Sequence, residues 1–317
     1  MMILDGAMGT MIQRYELTEK DFGKGRLGCN DVLVLTRPDV IGEIHKAYLA
    51  AGADIIETNT FNANSISMEE YGLQDKVKEI NIAGARLARE AADAAGGERR
   101  RLVAGSMGPT NVALSLGEVA DARGVDYEKM RRAYSEQASA LIEGGADLLL
   151  LETIFDTLNA KAAIAGIEDA FRDAHRRLPL MISVTLTEQG RTLSGQNLEA
   201  FVASVAHARP WSIGMNCGFG AEEMAPWLKQ LREVTSRILP GVKISLHPNA
   251  GLPDELGEYT ETPAEMATTM RRYMEDGLDI AGGCCGTTPQ HIAALKATAE
   301  ELEKSEESEK LEKLEEL

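Results

Sequence analysis

Residues 144–153 read GGADLLLLET, in which four leucines follow a glycine pair and precede a glutamate and a threonine. Closely similar phrases recur as AGADIIET at 51–58 and as DGLDIAG at 276–282. In each copy the glycine is suited to end a helix with positive φ, and the apolar run is typical of a parallel strand buried on both faces. The recurrence predicts a chain in which helices and buried strands alternate.

Working outward from these copies, apolar periodicity and turn residues predict eight strand–helix units. The predicted strands lie near 2–5, 54–57, 102–106, 148–151, 181–185, 211–215, 242–246 and 279–282. The predicted helices cover 40–50, 77–95, 127–143, 158–171, 198–207, 224–234, 263–276 and 289–302. Eight alternating units over about 300 residues predict an α/β fold, a single-domain (βα)8 TIM barrel. A doubly wound open sheet is the alternative, but no G-x-G-x-x-G follows a strand near the start.

Charge is unevenly distributed along the chain. The formal net charge of the 317 residues is −17, and the segment 300–317 carries nine acids and three lysines. We therefore expect a barrel over 1–299 and an acidic tail over 300–317, helical or disordered. Because the net negative charge repels nucleic acid and anionic membranes, we expect neither as a partner. No basic leader precedes the short apolar run at the N-terminus and no stretch of 18 apolar residues occurs, which predicts a cytoplasmic protein.

Three of the four cysteines fall at predicted strand ends, where the active sites of (βα)8 barrels collect. Cys217 follows the sixth strand, and Cys284 and Cys285 follow the eighth between glycines. Neighbouring side chains of an extended strand point to opposite faces, so a shared ligand requires a turn, which the glycines permit. Cys29 lies elsewhere and is expected to be a small buried residue.

Three thiolates without a fourth protein ligand are expected of a catalytic zinc, which keeps one coordination position open. A thiol substrate in that position would lose its proton, and the excess negative charge would favour alkyl transfer to sulfur over polarisation of a carbonyl. The alternatives are that these cysteines are merely small interior residues or that the adjacent pair forms a disulfide.

Other strand-end residues suit an amino-acid thiol. Glu152 is a candidate to accept the ammonium group, and the backbone N–H groups of Asp5, Gly6 and Ala7 are candidates to bind the carboxylate. Alternatively, Glu152 is a structural hydrogen-bond acceptor.

The chain resembles the homocysteine-binding domain of cobalamin-dependent methionine synthase, within the homocysteine S-methyltransferase family. The resemblance runs from about residue 3 to about residue 295. It rests on LDGAMGTMIQ (4–13), AGADIIETNTF (51–61), GPTN (108–111), GGADLLLLETIFDTLNAKAA (144–163), GRTLSGQ (190–196), MNCG (215–218), HPNAGLP (247–253) and GGCCGTTPQHI (282–292). MNCG with GGCCG resembles the zinc signature of the family, and FDTLNAKAA and SGQ resemble the cobalamin-dependent branch.

The resemblance implies zinc on Cys217, Cys284 and Cys285, with homocysteine held by Glu152 and the loop around Asp5 and Gly6. It also implies a place near the metal for Asn249, as a displaceable ligand, although an asparagine there also suits a left-handed turn.

The methyl donor implied by the resemblance is methylcobalamin carried on another domain or protein, because the chain has no room for the other modules of that synthase. We therefore expect either an excised module or a protein that meets its donor in trans. Two alternatives stay open. One is a cobalamin-independent enzyme that uses S-methylmethionine or another sulfonium or betaine-type donor, and the other is a non-catalytic zinc-thiolate binding protein.

Overall fold

Eight parallel strands form one sheet in the computed structural model, which describes residues 1–97, 99–117 and 122–315. The strands are β1 (Met2–Ile3), β2 (Ile55–Glu57), β3 (Leu102–Met107), β4 (Leu148–Ile154), β5 (Leu180–Val184), β6 (Ser212–Gly220), β7 (Lys243–Asn249) and β8 (Ile280–Ala281). Their order is β1-β8-β7-β6-β5-β4-β3-β2. Each overlaps one of the eight predicted strands.

The first and second strands close the sheet into a barrel. Leu4 and Ile55 form a parallel bridge, and the N–H of Asp5 donates to the carbonyl oxygen of Ile55 at 3.0 Å. The N–H of Asp54 donates to the carbonyl oxygen of Ile3 at 2.7 Å. Because both edges pair, the (βα)8 prediction is confirmed and the open doubly wound sheet is wrong.

One long helix follows each strand. The helices are α1 (Pro38–Ala50), α2 (Val77–Ala94), α3 (Tyr127–Gly144), α4 (Thr157–Asp173), α5 (Leu198–Val205), α6 (Ala225–Ile238), α7 (Pro263–Glu275) and α8 (Pro289–Glu315). Short α-helices cover Met8–Ile12, Glu19–Phe22, Leu33–Thr36 and Ser65–Met68, and 3₁₀ turns cover Asn30–Val32, Glu69–Tyr71, Gln74–Lys76, Leu114–Leu116 and Ala206–Ala208. We did not predict the short helices, because one turn is too short to show a period.

Glycines end helices in the repeated phrases, as predicted. Gly52, Gly145 and Gly277 have φ of +98°, +100° and +85°. Each is followed within three residues by a buried strand, so the phrase that indicates the fold is a helix stop joined to a barrel strand.

The barrel interior changes from apolar to polar along the strands. Its buried apolar residues include Ile55, Ala104, Leu150 and Met181. Residues two positions further on point to the same face, and these are Glu57, Ser106, Glu152 and Ser183. A polar layer therefore covers the apolar core at the C-terminal ends of the strands.

Among the strands that run past their predicted ends, β4 and β6 each show a shift in register typical of a bulge. The pairing of β4 with β5 shifts register between Leu151 and Ile154, and that of β6 with β7 shifts between Asn216 and Gly220. Bulges re-aim side chains and are frequent beside active sites. Both lie at the polar end of the barrel.

The acidic segment begins as a continuation of α8. The helix passes through residues 299 and 300 without a break and ends at Glu315, and the α-amino group of Met1 lies 3.2 Å from the Glu303 carboxylate. The helical alternative predicted for the tail is thus observed up to Glu315, and 316–317 lie outside the described residues. The division into a barrel and a tail at residue 299 stays a prediction.

Within the described ranges, no helix is long and apolar enough to cross a membrane.

Replacing Gly214 in β6 is expected to destabilise the barrel. An added Cβ would lie 2.1 Å from Ser245 Oγ and 2.2 Å from the Ser245 carbonyl oxygen. Because a backbone atom of β7 cannot move aside, Gly214→Ala should lower the free energy of unfolding by about 3 kcal/mol, measured by chemical denaturation.

Gly42→Ala is the matched control. Gly42 lies inside helix α1, and the nearest described atom to an added Cβ would be Leu87 Cδ1, at 3.7 Å. Alanine there should stabilise the helix by up to about 1 kcal/mol. Equal stability of the two variants would contradict the packing argument.

Candidate metal centre and adjoining cavity

Cys217 reaches the barrel mouth through the β6 bulge. Asn216 pairs with His247, whereas the next pair in register joins Gly220 and Asn249, so β6 has extra residues opposite β7. Cys217 has φ of +60°, a left-handed conformation that is unfavourable for residues other than glycine. Such strain is typical of functional sites, where the surrounding structure maintains it.

Cys284 and Cys285 lie on a tight turn after β8. The N–H of Thr287 donates to the carbonyl oxygen of Cys284 at 3.1 Å, and Gly286 has φ of +81°. Two further hydrogen bonds tie the pair to the end of β7: Cys284 N–H donates to Pro248 at 2.7 Å, and Ala250 N–H donates to Cys285 at 2.9 Å. The turn expected from the glycine-rich sequence is therefore present.

The three cysteines converge as predicted. Their Sγ atoms all lie within 4.8 Å of one another, and those of Cys217 and Cys285 are 3.8 Å apart. All described cysteines are free, so the disulfide alternative has no support. Among the described residues this is the one group of at least three His, Cys, Asp or Glu side chains with such spacing, and it could hold a metal ion. Cys29 is 1% exposed and lies apart beside Met68, as expected of a small buried residue.

The thiols interact strongly even without a metal. Hydrogen bonds from Cys217 and Cys284 lower the pKa of Cys285 to about 3, whereas hydrogen bonds with Cys217 and Cys285 raise the pKa of Cys284 well above its usual range. One sulfur thus takes the first negative charge and the others stay protonated. A cation is needed before all three can ionise together.

A cavity of about 250 Å³ adjoins the three sulfurs. Four carboxyl groups also line it, those of Asp5, Asp31, Glu57 and Glu152. Burial raises the pKa of each, and the negative charge of Glu152 raises those of Asp5 and Glu57 further. Because the pocket concentrates negative charge in a desolvated space, it is suited to a cationic ligand.

Glu152 in β4 is held by side chains from β3 and β6. Ser106 Oγ donates to Glu152 Oε1 at 2.6 Å, and Asn216 Nδ2 donates to Oε2 at 3.3 Å. These bonds aim the carboxylate, which is 5% exposed, at the cavity. They also mean that a structural role and a ligand-binding role for Glu152 are compatible.

The loop after β1 forms another part of the wall. The N–H of Asp5 donates to Ile55 and that of Ala7 to Thr287 Oγ1 at 3.1 Å. Of the three predicted carboxylate-binding N–H groups, that of Gly6 alone has no hydrogen-bond partner among the described residues. A Cβ at Gly6 would lie 2.7 Å from Thr287 Oγ1 and 3.0 Å from the Tyr48 hydroxyl, so glycine allows this close approach. Of these three residues, Gly6 therefore has the N–H that is available for a carboxylate, and carboxylate binding by this loop stays a prediction.

Asn249 occupies the end of β7 and is 2% exposed. Its φ is not positive, so the left-handed turn alternative is wrong, and Gly251 has the left-handed angle instead. Asn249 is not among the residues that line the cavity, and its Oδ1 lacks a hydrogen-bond partner in the described part of the chain. A role as metal ligand stays a prediction.

Several residues of the site were not predicted as such. Glu57, Ser106, Asn216 and His247 all line the cavity, and each lies at or next to a strand end that the sequence did single out. His247 is buried, and its Nε2 has no hydrogen-bond partner within the described ranges. Burial lowers its pKa to about 4, which leaves the ring neutral at pH 7. The sequence showed that these residues lie at strand ends, but it did not show that their side chains point into the cavity.

Tyr259 was missed entirely. It lies in the loop after β7, and a Cβ at Gly286 would come within 2.3 Å of its Cβ and Cγ. A hydrogen bond from its hydroxyl helps to lower the pKa of Cys285. The loop therefore packs on the cysteine turn.

Fold and site together define a (βα)8 barrel protein with a cluster of three cysteines that could hold a metal ion. Residues 2–299 match the sequence model of the family described as "Homocysteine S-methyltransferase". The chain therefore belongs to the homocysteine S-methyltransferase family.

Solved structures agree with this assignment. The chain is similar to the homocysteine methyltransferase MmuM from Escherichia coli in its oxidized form, with 26% identity and a TM-score of 0.73 over 94% of this chain and 95% of that one. Its metallated form shares 27% identity and a TM-score of 0.73 over 94% and 96%. Its apo form, at 24% identity and a TM-score of 0.68 over 94% and 95%, matches in fold.

Metal-free protein should show one unusually acidic thiol. With a pKa of about 3, Cys285 is a thiolate throughout pH 5–8, whereas burial raises the pKa of Cys29 to about 11. Alkylation of Cys285 by iodoacetamide, mapped by mass spectrometry, should therefore change little over this range. Cys284→Ala removes one thiol donor and should move the inflection of the rate to higher pH. A wild-type rate that rises about tenfold per pH unit, as for an ordinary thiol of pKa about 8.5, would contradict this assignment.

Proposed function

We propose that this chain transfers a methyl group to the thiol of homocysteine, forming methionine, with zinc held by Cys217, Cys284 and Cys285. The observation that carries this proposal is the convergence of three sulfurs within 4.8 Å on the wall of a carboxylate-lined cavity. Membership in the homocysteine S-methyltransferase family supports the substrate and the reaction.

The donor set fits zinc. A tetrahedral ion with zinc–sulfur bonds of about 2.3 Å requires sulfurs about 3.8 Å apart, and the Cys217–Cys285 separation is 3.8 Å. Thiolates favour zinc over magnesium or manganese. The similarity to a metallated homocysteine methyltransferase also supports a metal here. Bound there, zinc would stabilise the substrate thiol as a thiolate, the form that accepts a methyl group.

The cavity fits the rest of an amino-acid thiol. Its volume of about 250 Å³ lies below the range of about 300–1,000 Å³ for drug-sized pockets. Glu152, with Asp5 and Glu57 beside it, supplies the negative charge for the ammonium group. The free N–H of Gly6 is placed to donate to the carboxylate. These residues orient the substrate so that its sulfur lies at the cysteine cluster.

For the methyl donor, we propose methylcobalamin carried on another domain or protein. The support is the resemblance of FDTLNAKAA (155–163) and SGQ (194–196) to the cobalamin-dependent branch. A second candidate is direct transfer from a sulfonium or betaine-type donor. It is supported by the similarity to MmuM, a homocysteine methyltransferase of which this chain covers 95–96%.

One assay separates these candidates. Purified metal-loaded protein is incubated with homocysteine and one donor, and methionine is measured by mass spectrometry. The donors are methylcobalamin, supplied free or on a cobalamin-binding protein, S-methylmethionine and betaine. Methionine formed from methylcobalamin alone supports the first donor, and methionine formed from S-methylmethionine or betaine supports the second. If no donor yields methionine while zinc and homocysteine still bind, the chain is a non-catalytic thiol-binding protein and the proposed activity is wrong.

Cys284→Ser should remove both metal and activity. Losing one of three sulfur ligands is expected to weaken metal retention and turnover by more than about 100-fold, measured as zinc content after dialysis and as methionine formed. Cys29→Ser is the matched control, because Cys29 is buried away from the cluster. This variant should retain its zinc. Full turnover in the Cys284 variant would rule out the proposed centre.

Glu152→Gln should weaken homocysteine binding. The variant keeps the shape and the bond from Ser106 but loses the charge opposite the ammonium group, so KM should rise about 10- to 100-fold. Glu188→Gln, at an exposed carboxylate on the same end of the barrel, should leave KM unchanged. An unaltered KM in the Glu152 variant, with zinc content intact, would remove Glu152 from the binding site.

A further inference from the structure

Asn216 lies between the carboxylate pocket and the cysteine cluster. It is fully buried in β6, directly before Cys217. Its Oδ1 accepts hydrogen bonds from Ser183 Oγ at 2.6 Å and from the backbone N–H of Thr153 at 3.0 Å. A backbone N–H can only donate, so the orientation of the amide is determined by the network.

The amide nitrogen faces both halves of the site. Nδ2 donates to Thr153 Oγ1 at 2.7 Å, and it lies 3.3 Å from Glu152 Oε2 and 3.9 Å from Cys284 Sγ. One planar group thus contacts the proposed ammonium anchor and one proposed metal ligand. The position of this amide therefore affects the spacing between the Glu152 carboxylate and the Cys284 sulfur.

Asn216 also maintains the bulge that aims Glu152. Thr153 has φ of +54°, which is unfavourable for a β-branched residue. Both its N–H and its hydroxyl bond to the Asn216 amide. Because Glu152 directly precedes Thr153, a change in this bulge would displace the carboxylate.

We propose that Asn216 is a positioning residue that sets the Glu152 carboxylate relative to the cysteine cluster, so that the ammonium and the thiol of one substrate molecule bind together. The inference deepens the proposed function and rests on it. For one molecule to bind at both points, the carboxylate and the cysteine cluster must stay as far apart as the ammonium and thiol of the substrate. If either point is mobile, the second contact adds less binding free energy.

The experiment compares two ligands by calorimetric titration of the metal-loaded protein. Homocysteine engages both points, whereas 4-mercaptobutyrate has the same carbon chain, carboxylate and thiol without the amino group. Asn216→Ser should weaken homocysteine binding about tenfold and change 4-mercaptobutyrate binding less than about threefold. Asn81→Ser is the matched control, because Asn81 is also fully buried but bonds to Ala63 and Val77 in helix α2 and the loop before it.

Each other outcome overturns the inference. Equal weakening of both ligands would assign Asn216 to the metal centre or the fold alone, and unchanged binding of both would remove it from the site. If Asn216→Ser does not fold or hold metal, Ser183→Ala replaces it, because it removes one hydrogen bond to Asn216 Oδ1. That variant should show a smaller selective loss of homocysteine binding, and no selective loss overturns the inference. Wild-type protein that fails to bind homocysteine would instead refute the proposed function.

Discussion

Convergence of three cysteine sulfurs from two strands that are not neighbours is the constraint on which the rest of the site depends. Strand β7 separates β6 from β8, so regular strands would leave Cys217 far from the cysteine pair. The bulge in β6 and the turn at 284–287 bring the sulfurs together. Both devices require left-handed backbone, at Cys217 and at Gly286. The hydrogen bonds from this turn to the end of β7 keep the arrangement in place.

Negative charge in a desolvated space explains the behaviour of the cavity. Four carboxyl groups and three thiols lie at one end of the barrel. Burial raises the pKa of the carboxyl groups, and hydrogen bonds with Cys217 and Cys285 raise that of Cys284. Such a group of acids ionises fully only when cations are present. In the proposed function those cations are a metal ion beside the sulfurs and the substrate ammonium beside the carboxylates. Each cation neutralises a different set of acidic groups, so charge alone couples the two binding events only weakly. The geometry of the site must therefore coordinate them.

Geometry is supplied by the polar layer above the apolar core. Ser106 and Asn216, from β3 and β6, hydrogen-bond to Glu152, and Ser183 from β5 hydrogen-bonds to Asn216. The apolar residues below them give these side chains a rigid base, and strain is concentrated at Thr153 and Cys217 beside the cavity. The barrel thus provides stability through its lower layers and binding through its upper layer.

The amino-acid sequence determined the alternation of eight strands and helices, because glycine helix stops and buried apolar runs are local signals that do not depend on the rest of the chain. It also placed Cys217, Cys284, Cys285 and Glu152 at strand ends. Tertiary structure alone decided which strand-end side chains face inward, since that depends on bulges and on closure between β1 and β2. For this reason Asn216, Ser106 and Tyr259 became part of the site, and the N–H of Gly6, unlike those of Asp5 and Ala7, has no partner among the residues that the structure describes. Their contacts join residues far apart along the chain, such as Ser106 with Glu152 and Asn216 with Cys284, which no local pattern can encode.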